Sequence, residues 1–245
     1  MKKIIITQSN YIPWKGYFDS LAMVDEFVIY DDMQYTKRDW RNRNLIKTSN
    51  GLKWLTIPVE VKGKYLQKIN ETKIADLKWK DDHLRLIKQN YSKSACYKEV
   101  FPWIENLYLN CNFELLTEVN QYFIEAINDF LNIKVKIFRS EDFNLAEDRT
   151  ERLLNICLAR GASDYYTGPA AKSYMNEDLF NSNKVQVHYF NYDGYPEYRQ
   201  LYGTFEHGLS IFDLLLNEGY NSSFFMKLKN KKTDNVSNKT DFKHT

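Results

Sequence analysis

Residues 3–32 read KIIITQSNYIPWKGYFDSLAMVDEFVIYDD, and their order decides the fold. Residues 3–7 (KIIIT) form a short β-branched apolar run, the signature of a buried strand. Pro13 and Gly16 then punctuate a turn. FDSLAMV suits a short helix, and DEFVIYDD a second strand. This β-loop-α-β start is the unit from which parallel sheets are built. In such sheets ligands bind at the carboxyl ends of the strands. Two polar stretches leave those ends here, residues 7–17 and residues 31–44.

The rest of the chain extends the pattern. KWLTIPVEV (53–61) reads as a strand, with Pro58 favouring an edge or bulge, and QKINETKIAD (67–76) as a turn or short strand. From residue 79 the periodicity becomes helical, with Leu84, Ile87 and Tyr91 on one face. Residues 97–110 and 113–132 continue it, the latter with an apolar stripe of Leu116, Val119, Phe123, Ile127 and Phe130. IKVKIFRS (133–140) returns to strand, and residues 147–162 to a helix ended by Gly161. SDYYTGPAAKSY (163–174) reads as a Gly/Pro loop, VQVHYFNY (185–192) as a strand, and GLSIFDLLLNEG (208–219) as a closing helix that Ser210 or Asp213 is placed to cap. The expected architecture is α/β: a central, mostly parallel sheet with a Rossmann-like start and a helical subdomain. One domain would cover residues 1–226, with a helical insertion at about 79–131. Residues 227–245 lack an apolar face and are expected to form a disordered polar tail.

Composition narrows the function. The 245 residues carry a net charge of only +2, which argues against a nucleic-acid binder. Three cysteines without metal-type spacing suit reduced thiols in the cytoplasm. The apolar run after Met1 is too short for a signal peptide, and nothing approaches the roughly 18 apolar residues of a membrane span. A cytoplasmic protein without membrane insertion is expected, and the sequence leaves oligomerisation open. The four histidines are scattered, so no metal site is indicated. Phosphate-loop, dinucleotide, zinc-protease and serine-hydrolase motifs are missing.

Two constellations remain. The first loop crowds Gln8, Asn10, Tyr11, Trp14 and Tyr17 around one proline and one glycine. Amides read the polar edge of a ligand and aromatic faces stack on rings. The same aromatics would also plug the end of a sheet. In residues 31–44, DDMQYTKRDWRNRN, the cations Lys37, Arg38, Arg41 and Arg43 lie close to Asp31, Asp32, Gln34 and Trp40. Arginine forks onto phosphate or carboxylate, so this run suits the wall of an anionic site as well as a solvated loop. Arg41 and Arg43, with Asn42 turned away, are the preferred phosphate ligands. His83 is a candidate proton shuttle on a helix, and Gly168 a point of close backbone approach.

The start is similar in layout to nucleotidylyltransferases, whose strand–turn–helix carries H-x-G-H. Trp14 and Tyr17 stand where those histidines would be, which removes their phosphate-binding role. Over QSNYIPWKGYFD (8–19), DEFVIYDDMQYTKRDWRNRN (25–44), WLTIPV (54–59), RLLNICLARGASDYYTGPAA (152–171) and GLSIFDLL (208–215), the chain resembles the WbqC-like family. The family's first motif usually has proline where this chain has Ser9, and a looser loop is expected from the change. The resemblance implies bacterial O-antigen and surface-polysaccharide assembly. In that setting the expected substrate is a dTDP- or UDP-linked amino sugar, and the expected reaction an N-acyl or N-aminoacyl transfer from an acyl or aminoacyl donor. His83 would take the amine proton, or Asp32 would orient it. The alternatives are an ATP-dependent nucleotidyl or ligase-type enzyme and a non-catalytic sugar-nucleotide-binding protein of the same pathway.

Overall fold

The computed structural model describes residues 1–227. Its centre is a five-stranded sheet: β1 (Lys3–Thr7), β2 (Glu26–Ile29), β5 (Lys136–Arg139), β6 (Asp164–Thr167) and β7 (Gln186–Tyr189), ordered β5-β2-β1-β6-β7 and parallel throughout. The fold is therefore α/β, as the first thirty residues predict. The chain builds outward from β1 to β2 and β5, then crosses back and places β6 on the other side of β1. The gap between the carboxyl ends of β1 and β6 is thus a topological switch point, where open α/β sheets bind ligands.

Both faces of the sheet are covered at its centre, which is why β1 and β2 are buried without alternation. Ile4, Ile6, Val28, Tyr30 and Tyr165 pack against α5 (Arg149–Ala159) and α6 (Glu177–Ser182). Ile5, Phe27 and Ile29 face the other way, onto α1 (Lys15–Ala22) and the larger core.

That larger core is made by the long excursion between β2 and β5. It holds an antiparallel hairpin, β3 (Arg43–Thr48) with β4 (Gly51–Thr56), then α2 (Trp79–Tyr91), α3 (Tyr97–Asn110) and α4 (Leu116–Phe130). Leu116, Val119, Phe123 and Ile127 are fully buried, and they share one core with Ile87, Tyr91, Ile104 and the strand residues Ile5 and Phe27. The closing helix α7 (Ile211–Glu218) joins the same core. Ser210 caps it, its hydroxyl accepting from Phe212 N at 3.3 Å, while Asp213 is buried and accepts from Tyr91 and Tyr198.

Three local expectations need correction. DYYT of the expected 163–174 loop is β6, a central strand; Tyr165 is buried and stacks on Phe180 at 5.5 Å. The Gly168–Pro169 pair that suggested a loop begins only where the strand ends. The polar run at 31–44 is not all loop, because Arg43 and Asn44 open β3. The strand expected over 53–61 stops at Thr56, before Pro58, and residues 69–71 form a 3-10 turn. Beyond Lys227, the tail expected over 227–245 lies outside the described residues.

His83 shows what the core does to a titratable group. It is 3% exposed. Its Nε2 faces Thr56 O at 3.2 Å and its Nδ1 faces Tyr11 Oη at 2.9 Å. A carbonyl can only accept, so Nε2 carries the proton and Nδ1 accepts from the tyrosine. Burial lowers the His83 pKa to about 4, against the pull of the Thr56 bond. The folded pKa lies below the unfolded value, so the unfolded chain takes up the proton first. Stability from this group is then present above about pH 6.5, falls as pH drops toward 4, and is gone below. The expected loss is about 3 kcal/mol. Denaturant unfolding near neutral pH and near pH 4.5 should show His83→Gln losing less stability than wild type over that interval. Equal losses in the two chains would contradict a neutral buried imidazole.

Candidate functional site

The switch point is hollow. A cavity of about 210 Å³ opens at the carboxyl ends of β1 and β6, lined by Thr7, Gln8, Tyr30, Arg149, Thr167, Gly168 and Tyr174 among others. Arg149 is the first residue of α5, set there by the Asp148 cap, whose carboxylate accepts from Thr150 N at 2.8 Å and Glu151 N at 2.9 Å. Its guanidinium lies 3.8 Å over the Tyr174 ring. No ion pair involves Arg149 among the described residues. A guanidinium that is stacked but not neutralised is well prepared for an anion. Gly168 has an ordinary φ of −71°, and an added Cβ would meet nothing within 4 Å. What the glycine leaves here is room.

The deep wall carries a buried hydroxyl. Tyr30 is 6% exposed, and among the described residues its hydroxyl makes no hydrogen bond of full geometry, although the Arg152 guanidinium lies near enough to interact with it. Burial, with the nearby Asp32 charge, raises its pKa above the usual tyrosine value, against a hydrogen-bond interaction with Arg152 and the charges of Arg152 and Arg149. Buried hydroxyls are normally bonded, so this one needs an explanation, and a ligand oxygen would supply it. Asp32 lies next in the chain. Its carboxylate accepts from Ser140 Oγ at 2.6 Å and pairs with Arg152 at 3.3 Å.

The first loop is pinned by Asp31. Ser9 N donates to Asp31 Oδ1 at 2.8 Å, and Ser9 Oγ and Thr117 Oγ donate to Oδ2 at 2.5 and 2.6 Å. Asn120 donates to Ser9 Oγ at 2.9 Å. The serine therefore ties the loop down instead of loosening it, because a proline could make none of these bonds. Ser9 is wholly buried, while Gln8 and Asn10 on either side are part-exposed and line different cavities.

The remaining sequence candidates fall into separate places. Asn10, Trp14 and Trp40 line a second cavity with His207. Gln34 and Lys37 line a third, open one, with Gln34 donating to Tyr65 O at 3.0 Å. Arg41 bonds Asn10 Oδ1 and pairs with Asp39 at 3.6 Å, so it does meet the first loop. Arg43 does not: it stacks 3.9 Å over Trp54 and bonds Arg38 O. Asn42 is turned inward, donating to Ile57 O at 2.7 Å. Arg38 is exposed, at a φ of +62°. Tyr11, Tyr17 and His83 belong to the core, with Tyr11 bonded to both His83 and Tyr108, and Tyr17 to Gln8 O at 3.2 Å. A neutral imidazole occupied on both ring nitrogens has neither a lone pair nor a proton to offer a ligand. Arg41 and Arg43 thus contact the protein itself, Arg38 is exposed, and the three do not converge on one cavity. Arg149 does not stand out in the sequence, where EDRTER (147–152) reads as an ordinary charged helix start; the placement of α5 beside β1 and β6 brings it to the cavity.

The model of the WbqC-like protein family matches residues 8–223, from the first loop to past the closing helix. The chain belongs to the WbqC-like protein family. It is also similar to the uncharacterized protein Rv1507c of Mycobacterium tuberculosis, at 48% identity over 227 residues, which are 93% of this chain and 98% of that protein. No solved structure matches it. Membership in the WbqC-like family is consistent with a role in polysaccharide-related pathways. Among the described residues no helix is long and apolar enough to cross a membrane, and no group of three or more His, Cys, Asp or Glu is placed to hold a metal ion.

Two donors to one buried carboxylate make a sharp test of the loop. Ser9→Pro should destabilise this WbqC-like chain by about 3 kcal/mol, the scale of hydrogen bonds to a charged group, and Ser9→Ala by less. A Ser9→Pro chain that unfolds together with wild type in denaturant would show that Asp31 does not depend on the loop.

Proposed function

We propose that this protein binds a nucleotide-linked amino sugar, with the diphosphate in the switch-point cavity. We further infer that it modifies the sugar by N-acyl or N-aminoacyl transfer in surface-polysaccharide biosynthesis. The observation that carries the binding step is the pairing of a stacked Arg149, in no ion pair among the described residues, with the buried Tyr30 hydroxyl, which has the Arg152 guanidinium in reach, at the carboxyl ends of β1 and β6. An anion there gains a forked cation and a buried donor together. Gln8, Thr7 and Thr167 add neutral polar groups. Asp32 acts through Arg152, holding that second cation near Tyr30.

Direct transfer fits better than a covalent cysteine intermediate. Burial pushes the Cys111 thiol up to about 11 and Cys157 higher, and Cys96 is raised as well. Reactive cysteines are shifted the other way. A non-catalytic sugar-nucleotide-binding role is the second reading, favoured by one observation: among the described residues no histidine or carboxylate lines the cavity.

The test is a titration of the full chain with dTDP- and UDP-linked sugars, read by calorimetry and by thermal shift. Arg149→Ala should weaken binding by about 1.5–3 kcal/mol with little change in melting temperature, because Arg149 is exposed. Binding unchanged in that variant would remove the diphosphate from this cavity. Mass analysis with acyl and aminoacyl donors then separates the readings: an acylated sugar nucleotide supports transfer, and binding without turnover supports the binding role.

A further inference from the structure

On the opposite side of the first loop lies a second cavity, of about 300 Å³, whose chemistry differs from the first. Three segments distant in sequence build it: Asn10, Pro13 and Trp14 from the first loop, Trp40 and Asn44 around the start of β3, and His207 and Gly208 from the irregular strap before α7. Among the described residues no arginine, lysine, aspartate or glutamate lines it. It therefore suits a neutral ligand.

Its polar groups sort into wall and reader. Asn44 is wall: its amide donates to Tyr11 O at 3.1 Å and Ile12 O at 2.9 Å, and its oxygen accepts from Leu45 N at 2.8 Å. Asn10 gives its carbonyl oxygen to Arg41, which leaves its NH₂ as a donor. His207 packs edge-on against Phe205 at 4.6 Å, and no hydrogen bond engages its ring among the described residues. Two indoles complete the lining. Trp14 lies so close over Gly16 that a Cβ there would come within 2.3 Å of its ring, and it meets Tyr192 and Tyr195 edge-on at 5.3 and 5.5 Å. Trp40 is 42% exposed and is backed by Trp54 at 5.2 Å, which is itself covered by the Arg43 guanidinium.

The backbone here is strained as well. Ile12 has a φ of +37°, a conformation that β-branched residues almost never take. Asn44 holds it there through both carbonyls. Strain persists where the surroundings over-determine it, and it gathers at ligand sites.

We propose that this cavity is a second ligand site that takes an uncharged pyranose ring, laid against Trp40 and hydrogen-bonded by Asn10 and His207. A pyranose has one face rich in C–H groups, which suits an indole, and a rim of hydroxyls, which suits an amide and an imidazole. The proposal is independent of the diphosphate reading of the switch-point cavity, since none of these residues touches that cavity.

The experiment is saturation-transfer NMR on the full chain with the methyl glycosides of glucose, galactose and N-acetylglucosamine. Saturation should reach the ring C–H protons of at least one glycoside. Trp40→Ala and His207→Ala should each weaken that binding about tenfold or more, with melting temperature retained because both side chains are exposed. Arg149→Ala should leave it intact. The absence of saturation with every glycoside, or its survival in both cavity variants, would overturn the proposal. Loss of the signal in Arg149→Ala alone would place the ring in the switch-point cavity and overturn it equally.

Discussion

A carboxylate buried at the carboxyl end of β2 organises both cavities. Asp31 is 2% exposed, and burial raises its pKa against the bonds that favour its charge. A buried charge is tolerated only with its lone pairs satisfied. Those bonds come from the Ser9 backbone, the Ser9 hydroxyl and Thr117, which belong to the first loop and α4. One side chain therefore fixes β2, the loop after β1 and the helical excursion relative to each other. Asn120 extends the knot by bonding Ser9 Oγ and Arg41 O, which draws in the turn before β3.

The consequence is a division of labour along three residues. Ser9 is held inward, so Gln8 and Asn10 diverge to opposite sides of the loop. Gln8 joins a cavity with a free guanidinium, and Asn10 joins one lined by indoles and an imidazole. Charge and apolar surface are thereby kept apart, although they are served by the same short segment. The strap that carries His207 is held by its own ties: Lys15 Nζ donates to Pro196 O at 2.8 Å, and Ser20 meets Tyr192 Oη at 3.1 Å. Burial lowers Lys15 to a pKa of about 8, against the pull of nearby carboxylates, and the Tyr195 and Tyr198 rings flank its ammonium at 5.1 Å.

Much of the fold was legible in the sequence, since apolar runs and helical periodicity depend on local burial. KIIIT, the 113–132 stripe and the Ser210 cap all announced themselves. The strand DYYT did not, because two tyrosines beside a Gly–Pro pair look like a loop until the neighbours β1 and β7 supply the pairing. The site was less legible. Residue type drew attention to the first loop and Gly168, parts of which line cavities. It misdirected attention to Arg43, because stacking on Trp54 across the hairpin is invisible to one-dimensional spacing. His83 looked like a proton shuttle for the same reason: the sequence shows its acidic neighbours Asp81 and Asp82, which are exposed, and hides Tyr11 and Thr56, which it actually meets.

The central claim is that the β1–β6 switch point, with Arg149 at its rim, holds the anionic part of the ligand. A crystal structure of the protein soaked with a UDP-linked amino sugar tests it most directly. The account predicts diphosphate density within hydrogen-bond reach of the Arg149 guanidinium and the Tyr30 hydroxyl, beside Gly168. Diphosphate density on Lys37 and Arg38 instead, with the switch-point cavity holding only solvent, would contradict it.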